Sequence, residues 1–287
     1  MEAQAKEADL LHALERSDSL IVAYSGGVDS AYLAYAAHRA LGSAALAITA
    51  SSAAYPSSHR RMAEQVSAQV GFRHRFVTTD ELADERYAAN PSNRCYFCKS
   101  ELFDVLERLR SDEGIAAVAY GVNTDDTGDH RPGHLAAQEY QVLAPLLEAD
   151  LSKQEIRELS RRAGLPTAEL PASACLSSRI PYGMQVTPEK LAQIDRAEDA
   201  LRELGFEQVR VRHHGDLAKI ELAPSELARA FEPEMAARMS KQVHAVGFRW
   251  VSLDLDGYRS GALNEVIQIQ PLANTPADPS RRANRDS

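Results

Sequence analysis

Cysteine is scarce in this chain, with three in 287 residues, at positions 95, 98 and 175. An odd and small number excludes a disulfide framework as the source of stability and leaves metal binding, catalysis or no role for the thiols. Long hydrophobic runs are missing, and no apolar stretch approaches the roughly 18 residues that cross a bilayer. Residues 1–7 are polar and partly acidic and lack the charged-then-apolar layout of a secretory signal. The expectation is a cytoplasmic protein with no membrane partner. Positive charge is in deficit, 32 Lys and Arg against 41 Asp and Glu, for a net charge of −9. That balance argues against broad nucleic-acid binding, which needs a basic face, but leaves room for a local basic pocket. No internal repeat is present.

What remains is ordinary globular material: 44% hydrophobic and 25% charged residues, enough chain for two domains. Strand and helix signals alternate through the first half. Residues 20–24, 44–50, 72–78 and 115–121 read as strands, and 28–41, 59–70 and 101–110 as helices, the last with Leu102, Phe103, Leu106 and Leu109 on one face. Such alternation predicts a parallel sheet covered by helices, with ligands at the carboxyl ends of its strands. The loop 25–30 and the segment 121–126 should share that crevice. Ser152 and Glu155 form a capping box, and Gly164 and Pro166 end its helix. Residues 170–183 carry three prolines and no periodicity, so they read as a functional or disordered loop. From Thr187 the pattern changes to a helix to about 204, a hairpin of 208–213 and 217–222, helices at 225–230 and 233–246, and a strand at 248–255. The fold class is α/β, with domains at 1–185 and 186–270, the second α+β. The tail 271–287 reads as disordered.

The string Ser25-Gly26-Gly27-Val28-Asp29-Ser30 follows the first strand and opens a helix. Glycines without Cβ atoms let the backbone approach a phosphate, and the helix start offers unpaired N–H groups. The loop has no Lys and does not match the Walker pattern, so the anion should be held mostly by backbone dipoles. An ordinary strand-to-helix turn is the bland alternative. The full string resembles the PP-loop of the ATP pyrophosphatase superfamily (adenine nucleotide alpha hydrolase-like fold). Its members split ATP between the α and β phosphates and adenylate a substrate. The resemblance implies that Ser25, Gly26, Gly27, Asp29 and Ser30 line the pyrophosphate end of ATP, with Asp29 in a catalytic part. Asn123 and Asp126 are candidates for nucleotide or Mg²⁺ contacts, helix capping being the alternative.

Cys95 and Cys98 form a C-x-x-C pair in a turn expected just before a helix, where Arg94, Lys99 and the helix start should favour thiolates. Cys175 lies in the 170–183 loop with Arg179 nearby. Three readings stand together: unrelated cysteines, a zinc site completed by a His, or a three-cysteine iron–sulfur cluster with one open iron.

The PP-loop together with R-C-Y-F-C-K-S-E-L-F and A-C-L-S-S-R-I-P-Y-G resembles the LarE family, ATP-dependent sulfur transferases that build the nickel-pincer nucleotide cofactor of lactate racemase. The resemblance runs from about residue 10 to 270 and includes the strings at 209–214 and 256–261. It implies that ATP and Mg²⁺ adenylate a carboxylate of pyridinium-3,5-dicarboxylate mononucleotide, and that sulfur then displaces AMP to leave a thiocarboxylate. In one branch Cys175 gives up its own sulfur and becomes dehydroalanine. In the other, Cys95, Cys98 and Cys175 hold a [4Fe-4S] cluster whose unique iron carries the sulfur. The C-x-x-C pair aligns this chain with the second branch. Arg210 and Arg212 match the family's anionic-substrate site, and two guanidinium groups on one strand face suit bidentate phosphate recognition; a solvated strand face is the alternative. Arg179 and Arg259 are further candidates for the substrate, Glu198 and Glu221 weaker ones for metal contacts. Of the adjacent His213 and His214, at most one should face the site. The resemblance also implies a homo-oligomer, with a hexamer as the candidate form. Rival readings are a PP-loop tRNA thiolase, an ammonia-using amidase such as an NAD synthase, and a nucleotide-binding regulatory protein without catalysis.

Overall fold

The first sheet grows from a run that is apolar on both faces. Strand β1 (Leu20–Ala23) has all four residues buried, and its side chains alternate. Leu20 and Val22 enter the core on one face, Ile21 and Ala23 the core on the other. A strand buried on both sides belongs at the centre of a parallel sheet. The computed structural model, which describes residues 2–126, 132–171 and 174–259, shows that sheet. β2 (Ala45–Ser51), β3 (Arg73–Thr78) and β4 (Ala117–Tyr120) complete it in the order β3-β2-β1-β4, every pairing parallel. The chain steps outward from β1 through β2 to β3, then crosses back to place β4 on the other side of β1. That reversal is the switch point at which such sheets bind ligands, and both the 25–30 loop and the 121–126 segment emerge there.

Helices Val28–Leu41 and Ser57–Val70 cover one face, and helix Arg94–Asp112 the other through Phe103 and Leu106. The sequence reading missed helix Glu2–Glu15. Only Ala3, Leu10 and Leu14 of it are buried, too few apolar positions to reveal its period. Its polar side chains tie it down instead: Glu7 accepts from Tyr32 Oη at 3.0 Å and Arg39 Nη1 at 2.7 Å, and Lys6 bridges Asp150 and Glu155.

The second sheet comprises β5 (Val209–His214), β6 (Leu217–Leu222) and β7 (Trp250–Leu253). β5 and β6 form the expected antiparallel hairpin across Gly215, while β7 runs parallel to β6. Helices Pro188–Glu203 and Pro233–Ala245 supply Ala197, Leu201, Met235, Met239 and Val243 to its core. The α/β class with a smaller second unit is thus as the sequence predicts. The 170–183 loop holds one 3₁₀ turn, Leu176–Arg179. Residues 260–287, including the tail expected to be disordered, lie outside the described residues. Among the described residues no helix is long and apolar enough to cross a membrane.

The capping box predicted from Ser152 and Glu155 is complete. Ser152 Oγ accepts from Glu155 N, and Glu155 Oε2 accepts from Ser152 N at 2.8 Å. Ser152→Ala should lower unfolding stability by about 1 kcal/mol, measured by urea denaturation; an unchanged midpoint would show that the Lys6 bridges alone hold this helix start.

Candidate functional site

The glycine-rich loop is held open by its own side chains. Ser30 Oγ accepts from Ser25 N at 3.1 Å, lies 3.0 Å from Ser25 Oγ and donates to Gly27 O. Gly26 takes φ 78°, and a Cβ there would stand 3.1 Å from His59 O. Gly121, arriving from β4, approaches so closely that a Cβ would meet Ser30 N at 2.8 Å. The two segments predicted to share a crevice therefore touch. Gly27 caps helix Val28–Leu41 without a side-chain hydrogen bond, so the helix start keeps N–H groups for an anion.

The loop has no Lys of its own, but a distant one reaches it. Lys153, from the first turn of helix Lys153–Arg162, hydrogen-bonds Asp29 Oδ2 through its ammonium group. Its position 123 residues after the motif's end gives no sequence signal linking it to the loop. Asp29 Oδ1 and Asn123 Nδ2 are both buried, and the Asn123 side chain acts on the Asp29 carboxyl, helping to hold it down. Burial raises the Asp29 carboxyl, Lys153 opposes that, and Asp126 adds to it. Asn123 and Asp126 also shape their own turn, as the capping alternative held: Asn123 Oδ1 accepts from Asp125 N, and Asp126 Oδ2 from Asn123 N. Among the described residues no group of three or more His, Cys, Asp or Glu side chains is arranged to hold one metal ion. Mg²⁺ commonly relies on one or two carboxylates plus phosphate oxygens, and the buried Asp29 carboxyl at the loop fits that role.

Cys95 and Cys98 lie not in a turn but three residues apart in the first turns of helix Arg94–Asp112, which puts them on one helical face. Cys175 precedes the 3₁₀ turn, anchored where Leu176 N donates to Ala54 O at 2.9 Å. Cys98 and Cys175 pack against the same apolar cluster, with Ala54, Tyr87, Leu176 and Ile180. Tyr87 is in electrostatic reach of Cys98 and Cys175, and Tyr182 of Cys95 and Cys175. The predicted thiolate bias is reversed at Cys98. Burial pushes its thiol up, with Glu81 and Cys175 reinforcing, and Lys99 only partly offsets them. Cys98 and Cys175 sit against apolar side chains while Cys95 is exposed; three thiols are the donor type of a thiolate-bound iron–sulfur cluster, which spreads its ligands over several irons.

The arginines form a second cluster. Arg179 is buried and donates through Nε and Nη2 to the two oxygens of Glu198 at 2.9 and 3.2 Å, while Nη1 reaches the carbonyls of Ala174 and Cys175. Glu198 also accepts from Arg202 and Val211 N. Burial alone would raise its carboxyl, but Arg179, Arg210 and Arg202 outweigh it and hold the group at about 2. Arg212 pairs with Glu221 at 2.7 Å and donates to Ser178 O at 2.8 Å. Arg210 is buried over the Tyr258 ring and pushed down to about 10 by burial and by Arg179, so the pocket is electropositive. Neither strand arginine is a solvated face. Arg259 is exposed, close enough to Asp254 to lower its carboxyl. His213 is buried against Phe248 and Gln193, and His214 is exposed.

His59, which the sequence did not single out, joins the clusters. Its carbonyl borders Gly26, and its imidazole lies among Arg179, Arg210 and Arg202. Burial first, then those cations, press it down to about 4, so it stays neutral. Phosphate loop, arginines and cysteines are thus neighbours: the His59 carbonyl borders the loop, the His59 ring is in electrostatic reach of Arg179, and Arg179 donates to the Cys175 carbonyl.

No family model matches the chain. An uncharacterized protein of Synechocystis sp. is 44% identical over 264 residues, 92% of this chain and 98% of the relative. The pyridinium-3,5-bisthiocarboxylic acid mononucleotide synthase of Lactiplantibacillus plantarum is 35% identical over 269 residues, covering 93% and 97%. An uncharacterized protein of Methanocaldococcus jannaschii is 24% identical over 245 residues, covering 85% and 92%. With near-complete coverage of the synthase in both directions, the chain belongs to the LarE family, that of pyridinium-3,5-bisthiocarboxylic acid mononucleotide synthase.

Proposed function

We propose that this protein is an ATP-dependent sulfur transferase that adenylates a carboxylate of pyridinium-3,5-dicarboxylate mononucleotide and converts it to a thiocarboxylate for the nickel-pincer cofactor. The observation that supports it is the contiguity of an anion loop, an arginine pocket and three thiols, read beside the product named for the Lactiplantibacillus plantarum relative. In this reading residues 1–185 bind ATP. Residues 186–270 hold the substrate and mediate homo-oligomerisation.

The reaction needs a better leaving group than oxide. The substrate carboxylate attacks the α-phosphorus of ATP, and pyrophosphate departs with the electrons of the broken P–O bond. The helix start at Gly27, with Lys153 nearby, would stabilise that departing charge. Mg²⁺, when bound through Asp29 and the phosphates, would supply further charge neutralisation. Arg210 and Arg212 would hold the substrate phosphate, and neutral His59 adds no further positive charge beside the arginines. Sulfur then attacks the acyl carbon and AMP leaves. Cys95, Cys98 and Cys175 would hold a [4Fe-4S] cluster, which would supply a renewable sulfide.

A second reading makes Cys175 itself the nucleophile. The exposure of Cys95, apart from the apolar cluster that Cys98 and Cys175 share, supports it. Cys175 would attack the acyl adenylate to give a thioester. A base would then remove its Cα proton, and the Cβ–S bond would break with sulfur keeping the electron pair, leaving dehydroalanine.

Anaerobic reconstitution with iron and sulfide counting, followed by mass spectrometry of the spent protein, separates the two. The cluster reading expects iron binding that is lost in Cys95→Ala, Cys98→Ala and Cys175→Ala, with an intact Cys175 after turnover. Loss of one sulfur from Cys175 without bound iron would establish the sacrificial route. Lys153→Ala should reduce ATP–pyrophosphate exchange by about 10²-fold, and exchange at the parent rate would remove Lys153 from the site. His59 gives a pH signature. Its folded value, about 4, lies below the ordinary 6.5, so the unfolded chain takes up the proton first as pH falls. The stability linked to neutral His59 is complete above pH 6.5 and is lost between 6.5 and 4. His59→Gln should flatten that part of the stability profile, and an unaltered slope in urea titrations would contradict this.

A further inference from the structure

Asn90 has no part in the chemistry above, yet it is fully buried and takes a left-handed backbone with φ 57°. Asparagine accepts that conformation more readily than most residues. Its side chain is saturated. Nδ2 donates to Ile180 O at 3.2 Å, Pro181 O at 2.8 Å and Met184 O at 3.0 Å, two amide hydrogens shared among three carbonyls. Oδ1 accepts from Arg94 Nη1 at 2.6 Å, and the Asn90 carbonyl accepts from Gly183 N at 3.0 Å.

These bonds join two specific places. Residues 180–184 follow directly on the 3₁₀ turn that begins after Cys175. Residues 91–94 lead into the helix that carries Cys95 and Cys98. Arg94 reinforces the junction, with its guanidinium 4.8 Å from the centre of the Tyr182 ring, and Val186 N donates to Ala88 O at 2.8 Å. The 180–184 carbonyls would be hard to satisfy otherwise. This backbone belongs to neither helix nor strand, and a buried carbonyl without a donor is costly.

We propose that Asn90 is a positioning residue for sulfur transfer: it fastens the loop behind Cys175 to the turn that launches Cys95 and Cys98, and so sets the distance between the thiols. This rests on the sulfur-transferase reading and deepens it, because the shared thiol site exists only while two segments some 80 residues apart in sequence stay joined.

Two variants isolate the effect. Asn90→Asp keeps the shape and the acceptor for Arg94 but replaces both N–H donors with an oxygen facing carbonyls. Asn90→Gly keeps access to positive φ and removes the amide. The first readout is bridging of thiols in the full chain by dibromobimane, with the linked peptides assigned by mass spectrometry. The second is the kcat of sulfur transfer against the KM for ATP in pyrophosphate exchange. The parent should link Cys175 to Cys95 or Cys98. Either variant should slow bridging and transfer by about tenfold or more, the worth of one net hydrogen bond, with the KM for ATP unchanged. Parent-like bridging and transfer in either folded variant would overturn the role of Asn90 alone. Loss of pyrophosphate exchange in step with bridging would overturn it too, in favour of a general structural role. A parent chain that never bridges Cys175 to the pair would instead overturn the shared thiol site of the function proposed above.

Discussion

The buried pair of Arg179 and Glu198 is the contact on which the site depends. Both side chains are essentially sealed from solvent, 1% and 0% exposed. Two charges so placed are stabilising only when nearly every donor and acceptor is used. Here they are: Glu198 takes Arg179 through both oxygens, plus Arg202 and the Val211 amide, and Arg179 spends its remaining arm on the carbonyls at 174 and 175. One ion pair thereby fixes three elements against one another: the cysteine loop, helix Pro188–Glu203 and β5. Removing either partner would strand a buried charge, which is why the pair organises the site and is a poor target for probing substrate contacts.

Around that pair an acidic protein makes a positive pocket. Glu221 stands directly across from Arg210 in the hairpin register, yet gives its oxygen to Arg212 on the diagonal. Arg210 is left under the repulsion of Arg179, which together with burial depresses it to about 10. Glu198 offsets part of that repulsion. A protonated histidine at position 59 would aggravate it, and the same arginines keep that imidazole neutral. The net charge of −9 and the opposite sign around the arginines are compatible because screening by water and salt confines the field of exposed charges to about a Debye length, whereas buried charges act at close range.

What the sequence revealed follows from how local each signal is. β1 and the PP-loop were legible because burial on both faces writes a continuous apolar run and because glycines mark positions with no room for a Cβ, as the 3.1 Å at Gly26 bears out. The capping box was legible for the same reason, two residues three apart. Helix Glu2–Glu15 was not, because charged side chains rather than an apolar stripe dock it. Lys153 at the phosphate loop and His59 among the arginines were invisible because the fold, not spacing, delivers them. Cys98 was misjudged through its neighbours in sequence: Arg94 and Lys99 suggested a thiolate, but the groups that decide its protonation include Glu81 and Cys175, brought in by folding.

The arrangement also bears on the order of chemistry. The phosphate loop borders the His59 carbonyl, and the cysteine loop is bonded to Arg179 through the Cys175 carbonyl. On the proposed reading, a substrate whose phosphate is held by Arg210 and Arg212 can present one carboxylate to the ATP side and then, as an acyl adenylate, to the cysteine side with little movement. On that same reading the Arg179–Glu198 pair has a second part: through the Arg179 bond to the Cys175 carbonyl it holds the cysteine loop in place while the acyl carbon is brought to the sulfur.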